Sequence, residues 1–373
     1  MIIYFIILII STNSFHNISK EYINLITWIE SNNGYVSKKV IPIESSKSNR
    51  FLKSIDKIEK NELISYIPEK IIISSINSLI NPLCRRAFGI YSDSDLDCIA
   101  LFLTLDINNS TSFFKPYYDY LPEFDIKDFP SEIPKEEQNL YDEIDLYLHI
   151  GIHDYKLKNA YNEYVEQILL DHKIINGYEK FKYYYYLAHT RDFCRHNSEF
   201  FSDLNSIAPF MDLFNHDINF NLDWEYSDEK RGFIIKAIKN IEKNEILTTT
   251  YGNVDNLNLF TVYGFTLKNN NIKTPIRIQI GEFKYSLYPE ENENANKKGI
   301  VNLITTLKER YGKDKEKEIF ICNLILNGLK DKMEKINLIK LDNLNIRNIV
   351  EEIKISIDKY IYILQKDFLK ESN

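Results

Sequence analysis

Apolar positions along this chain follow two periods in alternating blocks, and each block predicts its own kind of element. Residues 19–31 carry a helical pattern, with Ser19 as N-cap, an apolar stripe of Tyr22, Ile23, Ile26, Trp28 and Ile29, and a stop at Asn33-Gly34. Residues 35–73 hold short β-rich runs between turns: Val40-Ile41, Phe51–Ser54, Glu62–Pro68 and Ile71–Ile73. Residues 93–190 return to the helical period, with helices over about 95–105 and 137–171 and another from Tyr178 through the four tyrosines Tyr183–Tyr186, read as core and contact residues. The apolar run Ile207–Phe214 reads as a strand and leads into Asn215-His216. A predicted hairpin follows, then the strand-like Glu245–Leu247, Thr248–Gly252, and Tyr263-Gly264-Phe265. A short β stretch at Ile276–Ile280 precedes three helical patterns near 297–311, 316–336 and 345–369. The last places Ile349, Ile353, Ile357, Ile361 and Leu364 on one face.

The length of 373 residues exceeds one average domain, and 44% hydrophobic with 13% aromatic residues suffices for a sizeable core. A net charge of −8 argues against a generally basic nucleic-acid binder and suits a basic protein partner. Cys84, Cys98, Cys194 and Cys322 are scattered, without a C-x-x-C pair, so neither a disulfide framework nor a structural metal is expected. The apolar run at residues 1–10 is shorter than the roughly 20 residues of a spanning helix. It reads either as the core of a targeting signal lacking a basic start or as a buried leader, and the compartment stays open between secretory or organelle targeting and cytoplasm or nucleus. No transmembrane span and no nucleic-acid partner are expected, and the chain is expected to be a monomer.

Residues 206–265 carry the candidate chemistry. Asn215 can both donate and accept, although Asn-His in a loop is commonly only a turn. Asp212, three residues earlier, either faces the same pocket or caps a turn. Tyr251 offers a phenol on an apolar body, which a buried core tyrosine would do equally. Arg191, in Thr190-Arg191-Asp192-Phe193, reads either as a surface ion-pair residue or as a two-pronged partner for a carboxylate.

The succession of apolar run, Asn215-His216, hairpin, Tyr251-Gly252 and Tyr263-Gly264-Phe265 resembles SET-domain protein methyltransferases, specifically the Rubisco large-subunit lysine methyltransferase and actin-histidine methyltransferase class. Ser112-Phe113-Phe114-Lys115-Pro116-Tyr117 through Leu121-Pro122 is similar to a connector of that class, and Trp28-Ile29-Glu30 to its opening helix. The resemblance implies an α+β fold: a SET domain of short β-sheets split by a helical insertion and followed by a helical C-terminal domain. The implied boundaries are a leader at 1–18, an N-terminal SET half at 19–92, the insertion at 93–190, the C-terminal SET half at 191–270 and a substrate-binding-like helical domain at 271–373.

It further implies methyl transfer from S-adenosyl-L-methionine to a side-chain nitrogen of a non-histone protein, most readily lysine, with histidine as the variant. Tyr251 and Tyr263 take the catalytic roles. Leu52, Lys53, Arg191, Asp212, Asn215, His216 and Phe265 take the cofactor, and no metal is needed. Where the class has a Gly-x-Gly loop before its first hairpin, this chain has Ser48-Asn49-Arg50-Phe51-Leu52-Lys53-Ser54, without glycine. Glycine there lets the backbone approach a ligand, and Asn49 is the residue able to adopt a left-handed conformation in its place. The alternative is therefore a SET-fold binding module that has lost the cofactor.

Overall fold

The computed structural model describes residues 18–44, 50–89, 95–123, 125–195 and 204–369. The leader and Ser48-Asn49 lie outside the described residues. The first element among the described residues is helix α1 (Lys20–Ser31), whose N-cap Ser19 accepts from the backbone of Tyr22. Strands β1 (Tyr35–Val36), β2 (Val40–Glu44), β3 (Arg50–Ser54), β4 (Leu63–Pro68) and β5 (Ile73–Ser74) follow, then helices α2 (Asp95–Asp106), α3 (Leu146–Ala160) and α4 (Gly177–Thr190). Next come β6 (Asp192–Arg195), β7 (Leu204–Ile207), β8 (Asn215–His216), β9 (Leu222–Ser227), β10 (Gly232–Ala237) and β11 (Ile246–Thr249). Helix α5 (Asn256–Tyr263), the hairpin β12 (Ile276–Ile280) and β13 (Phe283–Leu287), and helices α6 (Glu293–Tyr311), α7 (Lys315–Ile336) and α8 (Leu344–Ile363) complete it.

Two compact units result. Residues 1–124 and 161–251 make the first, and residues 125–160 and 252–373 make the second. The first holds three small sheets, of strand order β1-β4-β10-β9, β2-β3-β11-β8 and β5-β7-β6. Among the described residues their strand pairs are antiparallel except β8 with β11, which run parallel. Its core includes Leu52, Ile64, Ile67, Phe210, Phe233 and Leu247, none more than 1% exposed. The second unit packs α6, α7 and α8 around the β12–β13 hairpin, with Ile278, Ile325, Ile349 and Ile357 in its core.

Several expectations change in detail. On α1 the buried stripe is Tyr22, Leu25, Trp28 and Ile29, while Ile23 is 41% exposed. The helix expected over 137–171 is interrupted. A 3₁₀ segment ends at Asp145, whose φ of 59° is left-handed, α3 follows, and a π-turn at Tyr161–Val165 precedes a last helical stretch, Glu166–Asp171. The extra residue of a π-turn rotates the following face. Here it keeps Val165, Ile168 and Leu169 buried in succession to Leu157 and Ala160. The run Ile207–Phe214 is a strand only to Ile207. Its remainder turns through Phe210, at φ 76°, into the 3₁₀ segment Met211–Leu213. A non-glycine residue in that region stores on the order of 1–3 kcal/mol of strain, here offset by full burial of the ring.

Among the described residues no helix is long and apolar enough to cross a membrane. Two glycines give opposite expectations. A Cβ on Gly232 would lie 2.4 Å from the Ile67 carbonyl and 2.9 Å from Pro68 Cα on the paired strand. Gly232→Ala should therefore lower stability by about 1–3 kcal/mol in urea unfolding. A Cβ on Gly151, in α3, would meet nothing within 4 Å. Gly151→Ala should raise stability by about 0.5–1 kcal/mol in the same measurement.

Candidate functional site

The first unit gathers its polar residues around β8, a strand of only two residues. Asn215 and His216 pair in parallel with Thr248 and Thr249 of β11, and β11 lies antiparallel to β3, with Leu247 opposite Leu52 and Ile246 opposite Lys53. So short a strand has little stability of its own. The buried amide of Asn221 braces its partner strand β11, accepting the Thr248 N–H at 2.9 Å and donating to the Ile246 carbonyl at 2.8 Å. Asn215 donates from Nδ2 to the Arg50 carbonyl at 3.0 Å and thereby joins the start of β3 to the cluster. The side chain of Leu52 is 1% exposed in the core, and Lys53 Nζ reaches Asn244 Oδ1 at 3.5 Å.

Two residues beyond β11, Tyr251 turns back onto His216. Its backbone N–H donates to His216 Nδ1 at 3.1 Å, and the two rings stack 5.1 Å apart with a 24° interplanar angle. An imidazole that accepts at Nδ1 carries its proton on Nε2 and is neutral. Burial, which holds His216 below its usual range, favours the same state. The Tyr251 hydroxyl donates to the Phe214 carbonyl at 3.3 Å. Burial pushes the phenol up to about 12, with Arg191 pulling against the shift and Asp212 adding to it. Gly252, at φ 102°, makes the turn after it.

Asp212 is the electrostatic centre of this group. Its carboxylate is wholly enclosed, and Oδ2 accepts from both the Tyr117 hydroxyl and Arg191 Nη1 at 2.7 Å. Arg191 Nη1 also donates to the Asp212 carbonyl at 3.0 Å, and the arginine side chain is 13% exposed. Two enclosed atoms, Asp212 Oδ1 and Arg191 Nε, have no hydrogen-bond partner among the described residues. Burial, followed by the neighbouring Asp212 charge, holds Tyr117 well above its usual range, so it stays a donor. Tyr117 belongs to this group although its only signal in the sequence is its place after Pro116 in the aromatic connector. Asn221 gives no signal beyond being an asparagine near a hairpin.

Thus the structure brings Arg191, Asp212, Asn215, His216 and Tyr251 into one unit with Leu52 and Lys53 on the adjoining strand. Tyr263 and Phe265 belong to the second unit. Tyr263 ends α5, Gly264 caps that helix at φ 79°, and the Tyr263 and Phe265 rings stand 6.3 Å apart. Among the described residues, no group of three or more His, Cys, Asp or Glu could hold a metal ion.

Comparison with known proteins gives one family match, one relative and two solved structures. The SET domain family model matches residues 49–252. SET domain-containing protein 4 of Artemia parthenogenetica is 23% identical over 261 residues, which is 66% of this chain and 63% of that protein. The crystal structure of the SET domain of LSMT bound to lysine and AdoHcy superposes with a TM-score of 0.68 at 15% identity, over 95% of this chain and 93% of the other. The structure of Rubisco LSMT bound to AdoMet gives a TM-score of 0.63 at 16% identity over 95% and 93%. These likenesses show the α+β fold, from short sheets to helical C-terminal region.

Removing one member of the enclosed pair leaves the other uncompensated. Asp212→Ala should cost about 3–5 kcal/mol of unfolding free energy. Tyr117→Phe, which removes one hydrogen bond to a charged group, should cost about 1.5–3 kcal/mol in the same denaturant titration.

Proposed function

Because the chain belongs to the SET-domain family, we propose that it is an S-adenosyl-L-methionine-dependent methyltransferase whose acceptor is a side-chain nitrogen, lysine before histidine, of a non-histone protein. One observation carries the reading. Tyr251, a phenol that stays protonated, is fixed at its backbone by His216 and at its hydroxyl by Phe214, within the unit that holds the enclosed Arg191–Asp212 pair. The solved structures of the same fold are bound to AdoHcy with lysine and to AdoMet.

The residues present fit this cofactor. Its amino-acid end bears one ammonium and one carboxylate, and the chain offers one enclosed acceptor, Asp212 Oδ1, and one enclosed donor, Arg191 Nε, each lacking a partner. Asn215 and His216 would serve the same end, with Leu52 and Lys53 alongside. When bound, the cofactor supplies an electrophilic methyl group on sulfur.

The protein's own contribution is placement. A nitrogen held in line at near-attack distance gains most of the rate from orientation alone. Tyr251 is assigned to orient that nitrogen through its hydroxyl oxygen. Tyr263 is assigned to the acceptor nitrogen and Phe265 to packing near the cofactor or the channel. We further propose that residues 271–373 serve the protein substrate and that the protein acts as a monomer.

The glycine-free stretch Ser48–Ser54 favours a second reading, a SET-fold binding module without cofactor. Calorimetric titration with S-adenosylmethionine separates the two: saturable heat supports the enzyme, and its absence at millimolar cofactor supports the module. With heavy-methyl cofactor and a heat-inactivated cell lysate as acceptor, hydrolysates should contain labelled Nε-methyl-lysine. Labelled methyl-histidine would move the acceptor assignment.

Tyr251→Phe should lower kcat by about a hundredfold while leaving cofactor affinity intact. Asn215→Ala should instead weaken cofactor binding. Since the Tyr251 phenol is pushed up to about 12, it does not titrate in the working range. The rise of rate with pH, up to about 10 for a lysine acceptor, should therefore be the same in Tyr251→Phe as in the wild type. A limb of the profile that vanishes in the variant would remove Tyr251 from its assigned role.

A further inference from the structure

Helix α8 is apolar on its inner face, where Ile346, Ile349 and Ile353 are buried. Beside that face it carries Asn345, Asn348 and Glu352, spaced by three and four residues and so aligned along the helix. All three are spent on one stretch of chain, residues 256–274. Asn345 donates to the Gly264 carbonyl at 3.2 Å, and its Oδ1 accepts the Thr266 hydroxyl at 2.9 Å. Asn348 donates to the same Thr266 oxygen at 2.9 Å. Glu352 accepts the Thr274 N–H at 2.8 Å and the Asn256 amide at 2.9 Å. Asn256 in turn closes on Leu267 through both backbone groups, donating to its carbonyl at 2.9 Å and accepting its N–H at 2.8 Å.

The bracketed stretch is the one that carries Tyr263 and Phe265, on either side of the left-handed Gly264. Apolar contacts alone would hold a loop on a helix without fixing its register. A satisfied polar network, with one partner for each donor, selects a single placement. We propose that the Asn345–Asn348–Glu352 stripe is a positioning device for the acceptor-side Tyr263. It sets where Tyr263 stands, and through it the rate of transfer and the number of methyl groups placed on one nitrogen. The inference rests on the reading of Tyr263 given above.

The test compares wild type with Asn345→Ala/Asn348→Ala and with Thr266→Val, which removes the shared hydroxyl while keeping the side chain's shape. Lys359→Ala, on the exposed side of α8, serves as control and should match wild type. Cofactor affinity is read by calorimetry. Rate and the ratio of mono-, di- and trimethyl-lysine are read by mass spectrometry of the lysate acceptor.

In both stripe variants kcat should fall about ten- to a hundredfold. The product ratio should shift, and cofactor affinity should change by no more than about twofold, well under the factor that 1.4 kcal/mol represents. Folded variants with a lowered Tm but wild-type kcat and product ratio would show that the stripe only stabilises the fold, and would overturn the inference. If the double variant does not fold, Thr266→Val alone decides in the same terms. A wild type that neither binds cofactor nor transfers methyl would overturn the functional reading itself, and this inference with it.

Discussion

A carboxylate sealed from water has to be answered by charge and hydrogen bonds within reach, and Asp212 is fully sealed. Its answers come from Tyr117, 95 positions away, and Arg191, 21 positions away. Each buried ion costs several kcal/mol in lost hydration, which is offset only by close, well-directed contacts. The aromatic connector, the end of α4 and the turn before β8 therefore cannot shift independently. The same constraint orients Arg191. Nη1 is committed to Asp212, so any further carboxylate must be met by the remaining edge of the guanidinium, where Nε is unpartnered.

The turn that delivers Asp212 also explains why eight largely apolar residues do not continue as a strand. Ile207 pairs with Asp192 and Ile73, but beyond it Phe210 leaves the extended region and Met211–Leu213 coil once. Apolarity reported that these side chains would be buried, which Phe210, Met211 and Phe214 are, at no more than 1% exposure. It did not report the backbone path, because a turn buried on all sides and a central strand present the same composition. The helix broken at Asp145 and again at Tyr161–Val165 is a similar case. Local periodicity carried the helical signal, and the interruptions answer to packing from elsewhere in the chain.

Where the signal is local, sequence and structure agree closely. Ser19 caps α1 as its side chain and position require, and α8 buries Ile349, Ile353 and Ile357 in the order their spacing implies. The pairing of Asn215-His216 with Tyr251 was legible through the family resemblance, since nothing local ties residue 216 to residue 251. Tyr117 was hidden among the chain's 26 tyrosines. Its function depends on a partner 95 residues distant, and only the folded chain reveals it.

The protonation states of the site limit what it can do. His216 is neutral and its Nδ1 is occupied by the Tyr251 N–H, so protonating that nitrogen would break the bond that fixes Tyr251. The Tyr251 phenol keeps its proton because burial disfavours the anion. Asp212 and Arg191 neutralise one another. A base must be near its operating pH and have a free lone pair, and His216 Nδ1 and Tyr251 fail one requirement or the other. On the reading proposed above, these two groups would hold an acceptor nitrogen in place rather than exchange a proton with it.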